Sequence, residues 1–520
     1  MTTVTETFVT LPKNSNQALG IGEFAVDFMN RSIGEPSNTV LDRTALFFTD
    51  AVLCGLSALS VKTNAPIVLQ NEALEYTMKE GATVFGSSVC VRPEKAILAN
   101  AAAVREWDSN GTNFGFNPDL GHTAGEFGHN DFYAVPIAAA QIMKLDGGDA
   151  LRGMILLDEI RGRLAEVFSL KTYKIDHVVH GAIASAAVYG AMCGATAEQI
   201  ESAIGMTVAH YIPWRAIRAG KQLSDSKGSS AAISTEVAIL SMQRSMKGFR
   251  GPRDIFRNPE SVFRQFEPTN GDSPFDLVLS HSGDDFAVMG MHFKIGLYEH
   301  QSAGALQGLL DLIQQNPSIA VEPEKITSIH ITAYEPAFGI IGDPAKRDPK
   351  TRQSADHSMV YIVSAMLRKA QEVAKQEGAE FFNRSNDEVW KRLMLTPYDF
   401  DADAISHPTA RAIMETISFE HGGKEYDEKY PDGIPTSMKI TLTDGTVLDS
   451  GFVMYPAGHA RNTVANLDDI LVAKFKMHGD IAMDNPSSVI KSCMGVAELN
   501  PEDIQNLWSF ELADRPVYRD

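Results

Sequence analysis

The chain has 520 residues, 44% hydrophobic and 22% charged, which excludes the disordered and fibrous classes and allows about two to four folding units. Its 46 Lys+Arg against 66 Asp+Glu leave a net charge of −20, a field that repels phosphate backbones and anionic lipid and argues against nucleic-acid and membrane partners.

The first residues, Met1–Asn16, carry neither a basic start followed by an apolar run nor an Arg-rich organelle address, and no long uncharged apolar stretch follows anywhere. A cytoplasmic location is the expectation. From about Glu23 to Arg257, apolar residues recur at three- and four-residue spacing, which predicts a helical bundle. Arg105–Tyr133 interrupts that pattern with Gly, Asn, Asp and His and is expected to be a long polar loop. His180–Gly194, crowded with Gly, Ala and Ser, predicts a central helix approached closely by its neighbours. Thr196 and Gln199 then have capping-box spacing for a helix running to about His210. Trp214–Lys227 holds Arg215, Arg218, Lys221 and Lys227 ahead of a Gly-Ser-Ser turn, a candidate anion site.

The texture changes near Phe286. Lys325–Tyr334 alternates apolar and polar residues as a strand does, Met359–Lys375 is an amphipathic helix, and Ser437–Tyr455 reads as a hairpin with a type I′ turn at Asp444-Gly445. Helical pattern returns at Leu467–His478. The expected fold is mostly α: an all-helical domain built from 1–284 and 464–520, with a smaller α+β lid domain, 285–463, inserted between them.

Dinucleotide, P-loop, zincin and α/β-hydrolase motifs are absent. The four cysteines, Cys54, Cys90, Cys193 and Cys493, form no close pair and read as reduced core thiols rather than cluster ligands. His177 and His180 are three apart, but no third ligand stands at helical spacing beside them. What remains is a series of polar knots: Asp108 and Thr112 across Asn-Gly; His129-Asn130-Asp131; Lys227; Lys294 with His300; Arg352 with Asp356-His357-Ser358; and His459 with Arg461. His129, at the end of the polar loop, could be a cap, a surface residue or a general base. Basic and imidazole groups recurring at element ends in both units predict a cleft that binds a multiply charged small anion.

Taken in order, these segments resemble the MmgE/PrpD family. Gly81–Gly86 (GATVFG) is similar to an early family segment, and Asp108-Ser-Asn-Gly-Thr112 stands in the place of a D-x-x-D-T loop. Gly128-His129, Ile175-Asp176-His177, Phe293-Lys294-Ile295 with His300, Ala355-Asp356-His357-Ser358 and Tyr455-Pro-Ala-Gly-His459-Ala-Arg461 follow in family order. The sequence departs from the pattern in four places. Gly111 replaces the second Asp, the loop before His129 is longer, Asn-Asp rather than Pro-Ser follows His129, and Gly296-Leu297-Tyr298-Glu299 replaces an F-P-A stretch.

The resemblance implies a homodimeric lyase without metal or organic cofactor, in which Asp108, Thr112, His129, His177, Lys227, Lys294 and His300 face a cleft. The expected reaction is dehydration of a 2-methylcitrate-like hydroxy polycarboxylic acid. Family chemistry also includes decarboxylation of cis-aconitate and epimerisation of iminodisuccinate, and a polycarboxylate-binding protein without turnover is the non-enzyme alternative. Removing a proton beside a carboxylate requires a base of near-neutral pKa and cations that stabilise the enediolate. Lys227 and Lys294 would hold carboxylate, with Arg218 in support. One of His129 and His177 would take the α proton while the other protonates the leaving hydroxyl. Asp108 would orient a histidine and Thr112 would bind a carboxylate oxygen.

Overall fold

A computed structural model describes residues 7–218 and 222–520; Lys221 of the basic cluster lies outside them. The chain is mostly helical with small sheets. The 23-residue helix Asn38–Ser60 is buried along its C-terminal two thirds, and Pro93–Glu106 and Leu467–Ala482 pack on it. Val178–Met192 is buried along nearly its whole length between Gly147–Val167 and Asp225–Met246, the central position that its small residues predict. The helix Ala197–His210 begins at the Thr196/Gln199 capping box, with both reciprocal bonds formed. No single helix among the described residues is both long and apolar enough to cross a membrane. Asn38–Ser60 and Asn64–Glu75 have the combined length but meet at 91°.

The polar segment expected to be a loop folds partly into strands. Thr112–Phe114 pairs antiparallel with Phe127–His129, setting Thr112 opposite His129, and its other edge takes Met291–His292. The later sheet has the order Val447–Asp449, Thr436–Leu442, Ile326–Ala333, Ile417–His421, with only the last pair parallel. Ile329, Ile331 and Ala333 face the core with Met438 and Ile440, as strand alternation requires. The hairpin turn differs from the expectation. Gly445 has φ +86°, but Asp444 is not among the positive-φ residues, and the Gly445 amide donates to Leu442 O. This is a three-residue loop with a left-handed glycine rather than a type I′ turn.

Two further expectations change. Lys227 lies in the first turn of the helix Asp225–Met246, and Gly228-Ser229-Ser230 continues that helix instead of forming a turn before it. Cys54 and Cys493 are core thiols pushed up to about 12 by burial, whereas Cys90 and Cys193 are only part-buried.

Candidate active site

The centre is built around Asp108, just beyond the helix Pro93–Glu106, where Trp107 turns extended. Its fully buried carboxylate meets Arg105 at 3.2 Å, Lys227 at 3.5 Å, His357 Nδ1 at 3.2 Å, and Lys294. Asp356 continues the lattice: Lys227 Nζ donates to it at 3.0 Å, His357 Nδ1 lies 2.7 Å away, and Arg352 donates at 3.1 Å. Arg352 also clasps Glu106, at 2.5 Å to its carboxylate and 2.6 Å to its carbonyl. Charges at this depth are tolerated only because each is matched.

Burial by itself would raise the Asp108 pKa. The neighbouring Arg105, Lys294, Lys227 and His357 outweigh it and hold the carboxyl well below its usual range. Burial lowers both lysines, opposed by Asp356 and Asp108 for Lys227 and by Asp108 for Lys294. Burial, with Lys227 next, drops His357 to about 3. Asp108, Asp356 and His357 present ligand atoms within 4.8 Å of one another, the spacing of a metal site. Here, however, the ammonium and guanidinium groups already neutralise both carboxylates.

Beside this lattice stand two imidazoles. Lys294 Nζ lies 3.2 Å from His129 Nδ1. An ammonium can only donate, so Nδ1 accepts and neutral His129 carries its proton on Nε2. His177 stands at the start of Val178–Met192 with its ring centroid 5.4 Å from that of His129. Its Nδ1 is 3.6 Å from Asp176, which a two-nitrogen clasp by Arg218 fixes in place, and neither ring nitrogen has a hydrogen-bond partner. Burial is the main cause holding both imidazoles well below 6.5, so each is neutral, and each is a weaker base than the near-neutral one expected from the sequence. His300 is also buried with both nitrogens unpartnered, 5.5 Å from the Phe114 ring and 5.1 Å from His292.

Asp108, His129, Lys227 and Lys294 therefore form one contact chain, with His177 against His129 and Arg218 joined through Asp176. Two expected roles shift. Asp108 touches His357 rather than either of the paired imidazoles, and the residue beside His177 is Asp176. The Thr112 hydroxyl donates to Gly128 O at 3.1 Å, tying the two strands together rather than reaching outward. His180 turns away from His177, its Nε2 lying 3.0 Å from Phe168 O, and burial drops it to about 4.

Arg105 and Glu299 are not among the site residues expected from the sequence. Arg105 and Asp108 have i,i+3 spacing that could have signalled the pair. Glu299 is buried beside His300, and burial followed by the charge of Asp108 pushes it up to about 7.

A groove of 810 Å³ is lined by Asp42, Leu46, Val472, Phe475 and Ile490, none of them a residue of this centre. A polar pocket of 220 Å³ lined by Asn113, Phe114, Phe116, Arg163 and Arg461 reaches the strand that carries Thr112.

Residues 22–273 match the MmgE/PrpD N-terminal domain, and residues 298–396 match the MmgE/PrpD C-terminal domain. The chain is 25% identical to the mitochondrial 2-methylcitrate dehydratase of Yarrowia lipolytica, over 93% of its own length and 88% of that protein. It is 24% identical to the 2-methylcitrate dehydratase of Escherichia coli O157:H7, over 87% and 88%. A shorter similarity, 22% identity over 58% of the chain and 56% of the relative, is to alkylcitrate dehydratase phiI of a fungal species.

Proposed function

Because the chain belongs to the MmgE/PrpD family, we propose that it is a cofactor-independent hydro-lyase that dehydrates a 2-methylcitrate-like hydroxy polycarboxylic acid. The observation that carries the reading is Lys294, bonded to Asp108 on one side and to His129 Nδ1 on the other, beside the ring of His177.

The two imidazoles take different parts. Asp176 favours the tautomer of His177 with the proton on Nδ1, so Nε2 is the base that receives the α proton. The electron pair left on carbon spreads into the substrate carboxylate, which Lys227 and Lys294 stabilise as positive neighbours. As the β carbon–oxygen bond breaks, the Nε2 proton of His129 goes to the departing hydroxyl, and Lys294 passes a proton to Nδ1 so that the imidazole stays neutral. Water leaves and a carbon–carbon double bond forms. The proton on His177 and the one missing from Lys294 are exchanged with solvent before the next cycle.

The same proposal divides the chain into a helical body, 1–284 with 464–520, and an inserted α+β lid, 285–463. It is supported by the four-stranded sheet, which falls wholly within the inserted span, and by Leu467–Ala482, which packs back on Asn38–Ser60. The assembly proposed is a homodimer.

The test is a panel of 2-methylcitrate, citrate, cis-aconitate and iminodisuccinate followed by proton NMR in deuterated water. Loss of water with a new vinyl or allylic methyl signal is the expected result. Carbon dioxide release from cis-aconitate would replace the reading with a decarboxylase. Deuterium uptake without water loss would make the protein an epimerase, and tight binding without turnover would make it a binding protein.

A further inference from the structure

Behind the Asp108 segment lies a second buried polar cluster that the chemistry above does not use. Lys474, wholly buried on the helix Leu467–Ala482, donates to Ser109 O at 2.6 Å and pairs with Asp50 at 2.6 Å. One turn further on, His478 places Nε2 3.0 Å from Ser109 Oγ and Nδ1 3.0 Å from Ser57 Oγ. Ser109 Oγ also faces Gly296 O at 2.9 Å, Ser57 Oγ faces Cys54 O at 2.9 Å, and Trp107 Nε1 donates to Ser57 Oγ at 2.9 Å. Ser109 follows Asp108, and Gly296 lies two residues after Lys294. The Ser109–Gly296 bond therefore joins the two segments that supply the central ion pair. The Tyr298 amide, which donates to Asp108 O at 2.9 Å, joins them again.

Counting protons fixes how this cluster works. Each hydroxyl has one hydrogen, and burial together with Lys474 keeps His478 neutral, so the ring has one as well. If Nδ1 carried it, either Ser109 would donate to Nε2 and abandon Gly296, or Nε2 would have only the weak Cys54 thiol at 3.8 Å as donor, with Ser109 Oγ facing it lone pair to lone pair at 3.0 Å. If Nε2 carries it, His478 donates to Ser109, Ser109 donates to Gly296, and Ser57 gives its proton to Nδ1. Only Cys54 O is then released, and the amide ladder of its own helix already uses that carbonyl.

We propose that His478, held as its Nε2–H tautomer, and Lys474 are positioning residues that clamp the Asp108 segment against the Lys294–His300 segment, so that a helix far along the chain sets the Asp108–Lys294–His129 geometry. Only the kinetic part of its test rests on the dehydratase reading.

In the full-length protein, His478→Phe keeps the ring volume and removes both bonds, while His478→Gln keeps a donor and an acceptor. For variants whose circular dichroism matches the parent, kcat is expected to fall on the order of 10- to 100-fold in His478→Phe with KM little changed, as for a small misplacement of reacting groups, and to recover in part in His478→Gln. Lys474→Met is expected to behave like His478→Phe. An unchanged kcat in folded His478→Phe overturns the proposal. Independently of turnover, 15N shifts of labelled histidine in the unmodified protein are expected to show Nδ1 bare and Nε2 protonated at residue 478. The opposite tautomer overturns the clamp even if every variant misfolds or no acid in the panel is dehydrated.

Discussion

Lys294 stands between Asp108 and His129, its ammonium bonded to the carboxylate and 3.2 Å from Nδ1 of the imidazole. Through this one side chain the buried ion lattice reaches the imidazoles proposed to move protons. His129→Ala and His177→Ala should each slow turnover by about 10² to 10⁴, the range for a positioned acid or base. The two should differ in exchange. His177→Ala is expected to lose deuterium incorporation at the α carbon, whereas His129→Ala keeps it while losing water elimination. Equal loss of exchange in both would reverse or merge the assigned roles.

Gly111, where the family pattern has a second Asp, is enforced locally. A Cβ there would lie 2.6 Å from the Phe47 ring, which stacks on Phe293 with centroids 3.9 Å apart. Gly111→Asp should therefore lower stability by about 2 kcal/mol or more, since it overpacks the core and buries a charge. Thermal unfolding checks this; an unchanged Tm with raised activity would contradict it.

Glu299 tests electrostatics with a definite sign. Its folded pKa, about 7, lies above the ordinary 4.5 because of burial and then the Asp108 charge. A carboxyl raised in the folded state costs nothing below pH 4 and progressively destabilises as pH rises through 7. Glu299→Gln should thus gain stability at pH 8, at most about 3 kcal/mol, and gain none at pH 4. Urea melts at the two pH values measure the difference, and an equal effect at both would refute the assignment.

The buried histidines predict the opposite limb. His129, His177 and His478 are held well below 6.5, mainly by burial, and His180 drops to about 4 for the same reason. Below pH 6.5 the unfolded chain takes up protons that these folded sites refuse, so the histidines subtract stability as pH drops from 6.5 toward 4, against the gain from Glu299 over the same interval. Asp108 adds its loss only below the unfolded carboxyl range, near pH 4, because its folded value is depressed. Histidine NMR titration of the folded protein separates the two effects: protonation of His129, His177 or His478 between pH 7 and pH 5 would show that the imidazole is not held neutral.

Local signals proved reliable where one helix start or one strand decides the outcome. Thr196 with Gln199 marked a helix start that forms both capping bonds, and the alternation from Lys325 marked a strand with the buried face it implies. Asp444-Gly445 misled because one left-handed residue suffices when the loop has three residues. At the centre, His129, Lys227 and Lys294 were legible because imidazoles and cations clustered at element ends are uncommon in an acidic chain. Their partners were less so: Asp356 meets Lys227 across 129 positions and Arg352 meets Glu106 across 246, separations over which spacing carries no information. Arg105 reads as an ordinary cation in the last turn of a helix, and only packing shows that it is buried.

Arg105, Asp108, Lys227 and Lys294 are each at most 1% exposed. The proposed polycarboxylic acid would reach them only when the surrounding segments part, and its product would leave by the same movement. Opening and closing are then steps of every cycle beside the bond-breaking itself. A viscogen such as glycerol should slow entry, read as a fall in kcat/KM, while a primary deuterium isotope effect on kcat still reports the chemical step.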